Sequence, residues 1–341
     1  MRFSLFATPL LILSLLSTPA VGAARRLDGR TMGTTWSVQL AGPSALATRR
    51  LQQGIQAELD RVDGQMSTYR PGSDLSRFNR APAGTWQSLP PEFFEVLQHA
   101  LGVARETGGA YDPTVGPLVN LWGFGPRPKP HRQPAASELA RARAQVGWWK
   151  VRLDAAGRRA WQPGGIHLDL SAVAKGYGVD QVARYLRRVG IDHFLVEVGG
   201  ELRAHGRKPD GSSWQVGIER PDAATGAVAR ADELVRTIRL DDRAIATSGD
   251  YRRVFEDGGR HYSHHIDPRT GFPVPEEVAS VSVVAGYAMQ ADPLGTALSV
   301  LGADEGMAYA REHGLAVLMI VRTGQGLQQR MSPGFAALVR R

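Results

Sequence analysis

In TTWSVQL, residues 34–40, apolar and polar positions alternate, so Trp36, Val38 and Leu40 fall on one side of an extended chain, the period of a half-buried strand. Directly after it the period changes. Leu51, Ile55, Leu59 and Val62 recur every three or four residues, which predicts a helix, and a second helix is predicted over 91–106, closed by Gly108 and Gly109. GIHLDLS (165–171) reads as a strand, and Val179, Val182, Ala183, Leu186 and Val189 as a helix stopped by Gly190. DHFLVEVGGELRAHG (192–206) reads as strand, Gly-Gly turn, strand. A hairpin pair within 213–263, a strand at 279–285, a helix from 293, a strand at 315–321 and a terminal hairpin complete the pattern. Strands that arrive in hairpins, with helices between the groups, predict an α+β fold on a mainly antiparallel sheet. The basic, proline-rich stretch GPRPKPHRQPAASE (125–138) reads as an exposed connection between two closely associated subdomains.

The first 22 residues stand apart from this pattern. Arg2, the apolar run Leu10–Leu16 and the small residues Ala20 and Gly22 have the layout of a secretory signal, so the mature chain, 23–341, is expected in the periplasm. That apolar run is too short for a comfortable membrane span, and membrane contact is expected only through a partner or an uncleaved signal. The sequence holds no cysteine, which leaves no disulfide framework, thiolate metal site, cysteine nucleophile or lipid-anchor acceptor. The formal charge is +8, but lysine stands only at Lys129, Lys150, Lys175 and Lys208 and the arginines are dispersed. No basic run reaches five residues, so no nucleic-acid partner is expected.

The chain lacks G-x-G-x-x-G after a strand, G-x-x-x-x-G-K-[ST], H-E-x-x-H and G-x-S-x-G, so the dinucleotide, P-loop, zincin and hydrolase-elbow readings have no support. Seven polar turns remain: MSTYRPGSDLSRFN (66–79), YDPTVGPLVNLWGFGP (111–126), DLSAVAKGYGVD (169–180), EVGGE (197–201), ATSGDY (246–251), YSHHIDPRTGFP (262–273) and ADPLGTAL (291–298). Each has a plain structural reading. Asp292 before Pro293 makes a good helix N-cap, Lys175 a solvated lysine, VGGE a tight turn, and the Asp-Pro and Thr-Gly steps of 262–273 an ordinary loop.

Together, in this order, the seven stretches resemble the FAD:protein FMN transferase family, also called the ApbE or flavin-trafficking family, from about Gly29 to Val321. The resemblance implies an exported α+β protein that binds FAD between two subdomains. With Mg²⁺ it would move the FMN half onto a threonine of an exported acceptor flavoprotein. Carried over, the flavin contacts fall on Met32, Tyr69, Ala110, Tyr111, Asp112, Asp169 and Lys175, with His265 where the family usually has isoleucine. The metal positions fall on Asp292 and Thr296, with backbone oxygen from Ala172 and Gly295. An Asp and a Thr at i and i+4 share one helix face and offer hard oxygen to a small cation.

Splitting a pyrophosphate requires charge neutralisation, an in-line nucleophile and a base for the nucleophile's proton. His264 aligns with the family's loop histidine and is the expected base, with His265 as the fallback; Arg269 would steady a phosphate or pair with Asp267. Two other readings share the same motifs: an Mg²⁺-dependent FAD pyrophosphatase giving FMN and AMP, and an FAD carrier that does no chemistry.

Overall fold

The run AVLMIVRT at 316–323 shows no polar alternation because its strand is covered on both faces. In the computed structural model, which describes residues 25–42, 46–126, 132–208, 210–221, 234–249, 254–257 and 260–339, this strand belongs to an eight-stranded sheet. The expected signal, residues 1–22, and part of the proline-rich connection lie outside the described residues. The spatial order follows the chain: Arg25–Thr31, Thr34–Leu40, Phe194–Val198, Glu201–His205, Ala244–Gly249, Val278–Ala285, Ala316–Thr323 and Gly326–Met331. Every adjacent pair is antiparallel.

Among the described residues the helices are α1 (Thr48–Met66), α2 (Asp74–Asn79), α3 (Pro91–Glu106), α4 (Gly116–Leu121), α5 (Ala136–Ala144), α6 (Ser171–Arg188), α7 (Ala288–Glu312) and α8 (Pro333–Val339). Strand alternation divides the core between the two faces of the sheet. Val196 and Val198 pack with α1 and α6, and Val281, Val283, Val317 and Met319 pack with α7. Leu195, Ile245, Val284 and Leu318 face the other way, onto Trp214 and Ile238 of the paired strands Trp214–Glu219 and Leu234–Leu240 and onto Phe335 of α8. A further core, around Phe78, Phe93 and Leu97, joins α2 and α3 to the first turns of α6.

Several expectations hold closely. The helix predicted over 91–106 is α3, and Gly108 and Gly109 both take positive φ after it. Other expectations are corrected. GIHLDLS is not a strand: Ile166, Leu168 and Leu170 are buried in alternation, but the segment's hydrogen bonds go to the Asn79 side chain and the Pro113 carbonyl rather than to a strand. Asn79 donates to the Leu168 carbonyl and accepts from its amide, and the Asp169 amide donates to Pro113. The tail of the proline-rich stretch is the start of α5, where Glu138 accepts from the Ala135 amide. ATSG at 246–249 belongs to a central strand rather than a turn. The chain ends its described part with α8, after the expected terminal hairpin.

The helix expected from 293 begins at Ala288, so Asp292 is an interior residue of α7 and not its N-cap. The true capping is exchanged between neighbours. Asp180 of α6 accepts from the amides of Ala288 and Met289 at the start of α7, and is itself paired with Arg203 at 2.6 Å. In return, Oδ2 of Asp292 accepts from the Gly176 amide at 3.0 Å, one turn past the break in α6 at Ala172. The two helices approach so closely that a Cβ on Gly176 would lie 2.4 Å from the Ala288 carbonyl oxygen.

Gly176→Ala should therefore destabilise the protein by about 1–3 kcal/mol, the cost of overpacking, in urea unfolding. Gly102→Ala, where a Cβ meets nothing within 4 Å, should be neutral or stabilising by up to about 1 kcal/mol because α3 gains a better helix former. Equal effects at the two glycines would show that the α6–α7 approach is not sterically limited.

Candidate active site

The exchange between α6 and α7 sets the floor of a cavity of about 680 Å³. Its walls come from the Met32–Gly33 turn, the loop after α1, the segment before α4, the first turns of α6, the strand Ala244–Gly249, the loop at 264–268 and α7. Each wall has a local reason for its shape. Met32 and Gly33 form a two-residue hairpin turn with φ of 45° and 73°; the positive φ is a strained value for methionine. The Met32 side chain reaches Gly178, where an added Cβ would lie 3.0 Å from its terminal carbon. Tyr69 sits on the loop between α1 and α2 and is 58% exposed, an aromatic face at the cavity with no core role.

On the opposite wall Ala110, Tyr111 and Asp112 are buried. Asp112 Oδ1 accepts from the amide and hydroxyl of Thr114, and Oδ2 from the Trp148 amide, so its carboxylate shapes the wall while facing the cavity. Burial raises its pKa above the usual carboxylate value, against those hydrogen bonds. The Tyr111 hydroxyl is buried with no hydrogen-bond partner among the described residues. Burial, with Asp292, Asp169 and Asp112 nearby, pushes its pKa well above the ordinary phenol value, so it stays a donor. Asp169 accepts from the Ser171 amide at 2.9 Å and leads the chain into α6.

At the floor, Lys175 is held 2.7 Å from Glu201 and 3.6 Å from Oδ1 of Asp292. Burial opposes the charge on Lys175, yet the two carboxylates prevail and raise its pKa. Burial pushes Glu201 up to about 8, with Lys175 pulling it down and Asp292 adding to the rise. Thr296 lies one turn beyond Asp292 and lines the same cavity, as does Ala172. Gly295 does not line it. Its carbonyl accepts from the Ser299 hydroxyl, and its missing side chain lets α7 approach Ser248, whose Oγ would be 2.8 Å from an added Cβ.

The loop HHIDPRTGFP closes on itself through a bridge between Ile266 and Pro273, with the Gly271 amide on the Asp267 carbonyl. Trp122 donates its indole N–H to the Gly271 carbonyl at 2.8 Å and ties the loop to α4. Arg269 pairs with Asp267 through Nε at 3.0 Å and does not line the cavity, so of its two expected roles it takes the pairing. His264 and His265 both line the cavity, their ring centres 4.2 Å apart. His264 is half-buried and edge-on to Phe124. His265 is buried, and burial first, then His264, lowers its pKa well below the usual value.

The residues expected to act together thus face one cavity, Gly295 and Arg269 excepted. A family model described as the ApbE family matches residues 32–319. The chain belongs to the ApbE family. A relative from Haemophilus influenzae named FAD:protein FMN transferase is 42% identical over 318 residues, covering 92% of this chain and 90% of its own. The apo flavinyl transferase ApbE of Pseudomonas stutzeri superposes with a TM-score of 0.84 at 38% identity, covering 94% of this chain and 98% of its own. A histidine-to-glycine variant of the flavin transferase ApbE from Vibrio cholerae gives the same TM-score at 40% identity, with 93% of this chain and 100% of its own covered. Glu201, Thr247 and Ser248, which no sequence motif marks as site residues, also line the cavity. EVGGE was singled out, but its Gly-Gly step reads as a turn and hides the carboxylate that follows.

His265 predicts a pH dependence of stability. The folded protein keeps it neutral, whereas the unfolded chain protonates it near pH 6.5, so stability should fall as pH drops below that value, by at most about 1.4 kcal/mol per pH unit. His265→Gln should flatten the urea-unfolding profile between pH 7 and pH 5. An unchanged slope would show that His265 is protonated in the fold.

Proposed function

We propose that this chain is a FAD:protein FMN transferase that moves the FMN half of FAD, with Mg²⁺, onto a threonine hydroxyl of an exported redox protein and releases AMP. The observation that carries this reading is one cavity of nucleotide size in which Tyr69 and Tyr111, the Asp292–Thr296 pair and His264 face one another. The family membership and the names of the relatives point the same way.

The α7 donors fit a hard cation. One Asp292 oxygen is fixed by the Gly176 amide, the other is bound to no amide, and Thr296 offers a hydroxyl from the same helix face. Among the described residues no group of three His, Cys, Asp or Glu side chains could hold a metal unaided. Substrate phosphates and water would complete the shell, as magnesium prefers. When bound there, the cation supplies charge neutralisation at the pyrophosphate.

The chain's own groups divide the remaining work. Tyr69 and Met32 offer apolar, polarizable surface to the isoalloxazine ring, and Tyr69 shields the phosphates from water. Tyr111 and Asp169 supply a hydroxyl donor and a carboxylate acceptor to ring or adenine groups. His264 takes the proton from the attacking threonine hydroxyl. The threonine oxygen bonds the flavin-side phosphorus, the bridging P–O bond breaks, and AMP departs with that bridging oxygen. His265, held neutral in the wall, orients its neighbour.

Incubation of the mature protein with FAD, Mg²⁺ and a co-occurring exported acceptor domain should yield a fluorescent acceptor band on a denaturing gel. Asp292→Asn keeps an oxygen for the Gly176 amide, so it should fold normally yet lose Mg²⁺-dependent turnover. His264→Ala should bind FAD nearly as before and transfer roughly 100-fold or more slowly, the loss expected for a general base. FMN and AMP released with no labelled acceptor would replace this reading with a pyrophosphatase. Bound FAD with no turnover under any metal would replace it with a carrier.

A further inference from the structure

Lys175 creates a problem for the metal reading. Its ammonium stands 3.6 Å from the Asp292 oxygen that a cation would share. A lysine ammonium and a divalent cation that share one carboxylate repel each other, so a lysine in this position should weaken the cation's hold on Asp292. The structure holds the counterweight on the next strand. Glu201 is buried, grips Lys175 at 2.7 Å with Oε1, and presents a second oxygen, Oε2, that is buried without a hydrogen-bond partner among the described residues. Both residues line the cavity.

We propose that Glu201 is a positioning residue that holds the Lys175 ammonium away from Asp292 so that a divalent cation can share that carboxylate. This rests on the metal reading above. Lys175 lies nearer to Glu201, at 2.7 Å, than to Asp292, at 3.6 Å, so Glu201 already holds the larger share of the ammonium. Without the Glu201 carboxylate, Lys175 would turn to Asp292 as its remaining partner. The unpartnered Oε2 gives the ammonium a second acceptor on the side of Glu201 as the cation repels it. Geometry assists, because Glu201 opens a strand directly after the Gly199–Gly200 turn, whose φ values are 60° and 104°. A Cβ on Gly199 would lie 3.3 Å from Cδ of Lys175, so the turn leaves room for the lysine stem.

The test is calorimetric titration of MgCl₂ into protein saturated with FAD. Glu201→Gln should raise the Mg²⁺ dissociation constant by about tenfold or more, because the Lys175 ammonium then competes for Asp292. Lys175→Met/Glu201→Gln should return it to within about threefold of the Lys175→Met value, because no ammonium remains to be held. The double variant removes both members of the Lys175–Glu201 pair, so neither is left without the other, and where Glu201→Gln does not fold its comparison with Lys175→Met decides the matter alone. Wild-type affinity in Glu201→Gln, or a double variant much weaker than Lys175→Met, would overturn the role of Glu201 while leaving the metal site intact. No Mg²⁺ binding by the wild-type protein would overturn both.

Discussion

The cavity depends on carboxylates exchanged between two helices. α7 starts with no side-chain cap of its own, and its first amides are taken by Asp180 from α6. α6 is broken at Ala172, and the Gly176 amide beyond the break is taken by Asp292 from α7. Each helix therefore finishes the other's hydrogen bonding, and the groups so bound are buried, where an unmade bond is costly. Gly176 makes the exchange possible by removing the one side chain that would separate the pair. Because Asp292 is both a structural acceptor and the expected metal ligand, folding and site assembly are a single event here.

That double use explains what was legible in the sequence. α3 carries its start and stop in its own residues, Pro91 at one end and Gly108–Gly109 at the other, and its limits were readable. α7 carries no such signal. Asp292–Pro293 looks like a start, yet the real start lies at Ala288 and is set by Asp180, more than a hundred residues earlier. GIHLDLS has the alternation of a strand and the burial of one, but its partners, the Asn79 side chain and the Pro113 carbonyl, do not make a ladder. Local periodicity reports which face of a segment is buried. It does not report what buries it.

The candidate site was legible through the order of its motifs more than through any one of them. Met32, Tyr69, Asp112, Asp169, Lys175, His264, His265, Asp292 and Thr296 lie far apart in sequence and share one cavity. Glu201 escaped because its significance lies in a contact with Lys175 across 26 residues and two elements. The loop at 262–273 combines both of its readings: Asp267, Arg269 and Gly271 build the turn, and the turn presents His264 to the cavity. A turn-forming half and a cavity-facing half occupy one short stretch.

The two outermost strands of the main sheet bear on the chain's basic character. Arg25–Thr31 and Gly326–Met331 each leave one ladder of amides and carbonyls unpaired within the sheet. Arg25, Arg26 and Arg30 stud the first, and Gln328, Gln329 and Arg330 the second. Charged and polar side chains on an edge disfavour the docking of another strand, because their solvation would be lost. Part of the positive charge that resembles a nucleic-acid footprint in the composition thus serves as insulation, keeping a long antiparallel sheet from extending into a second molecule.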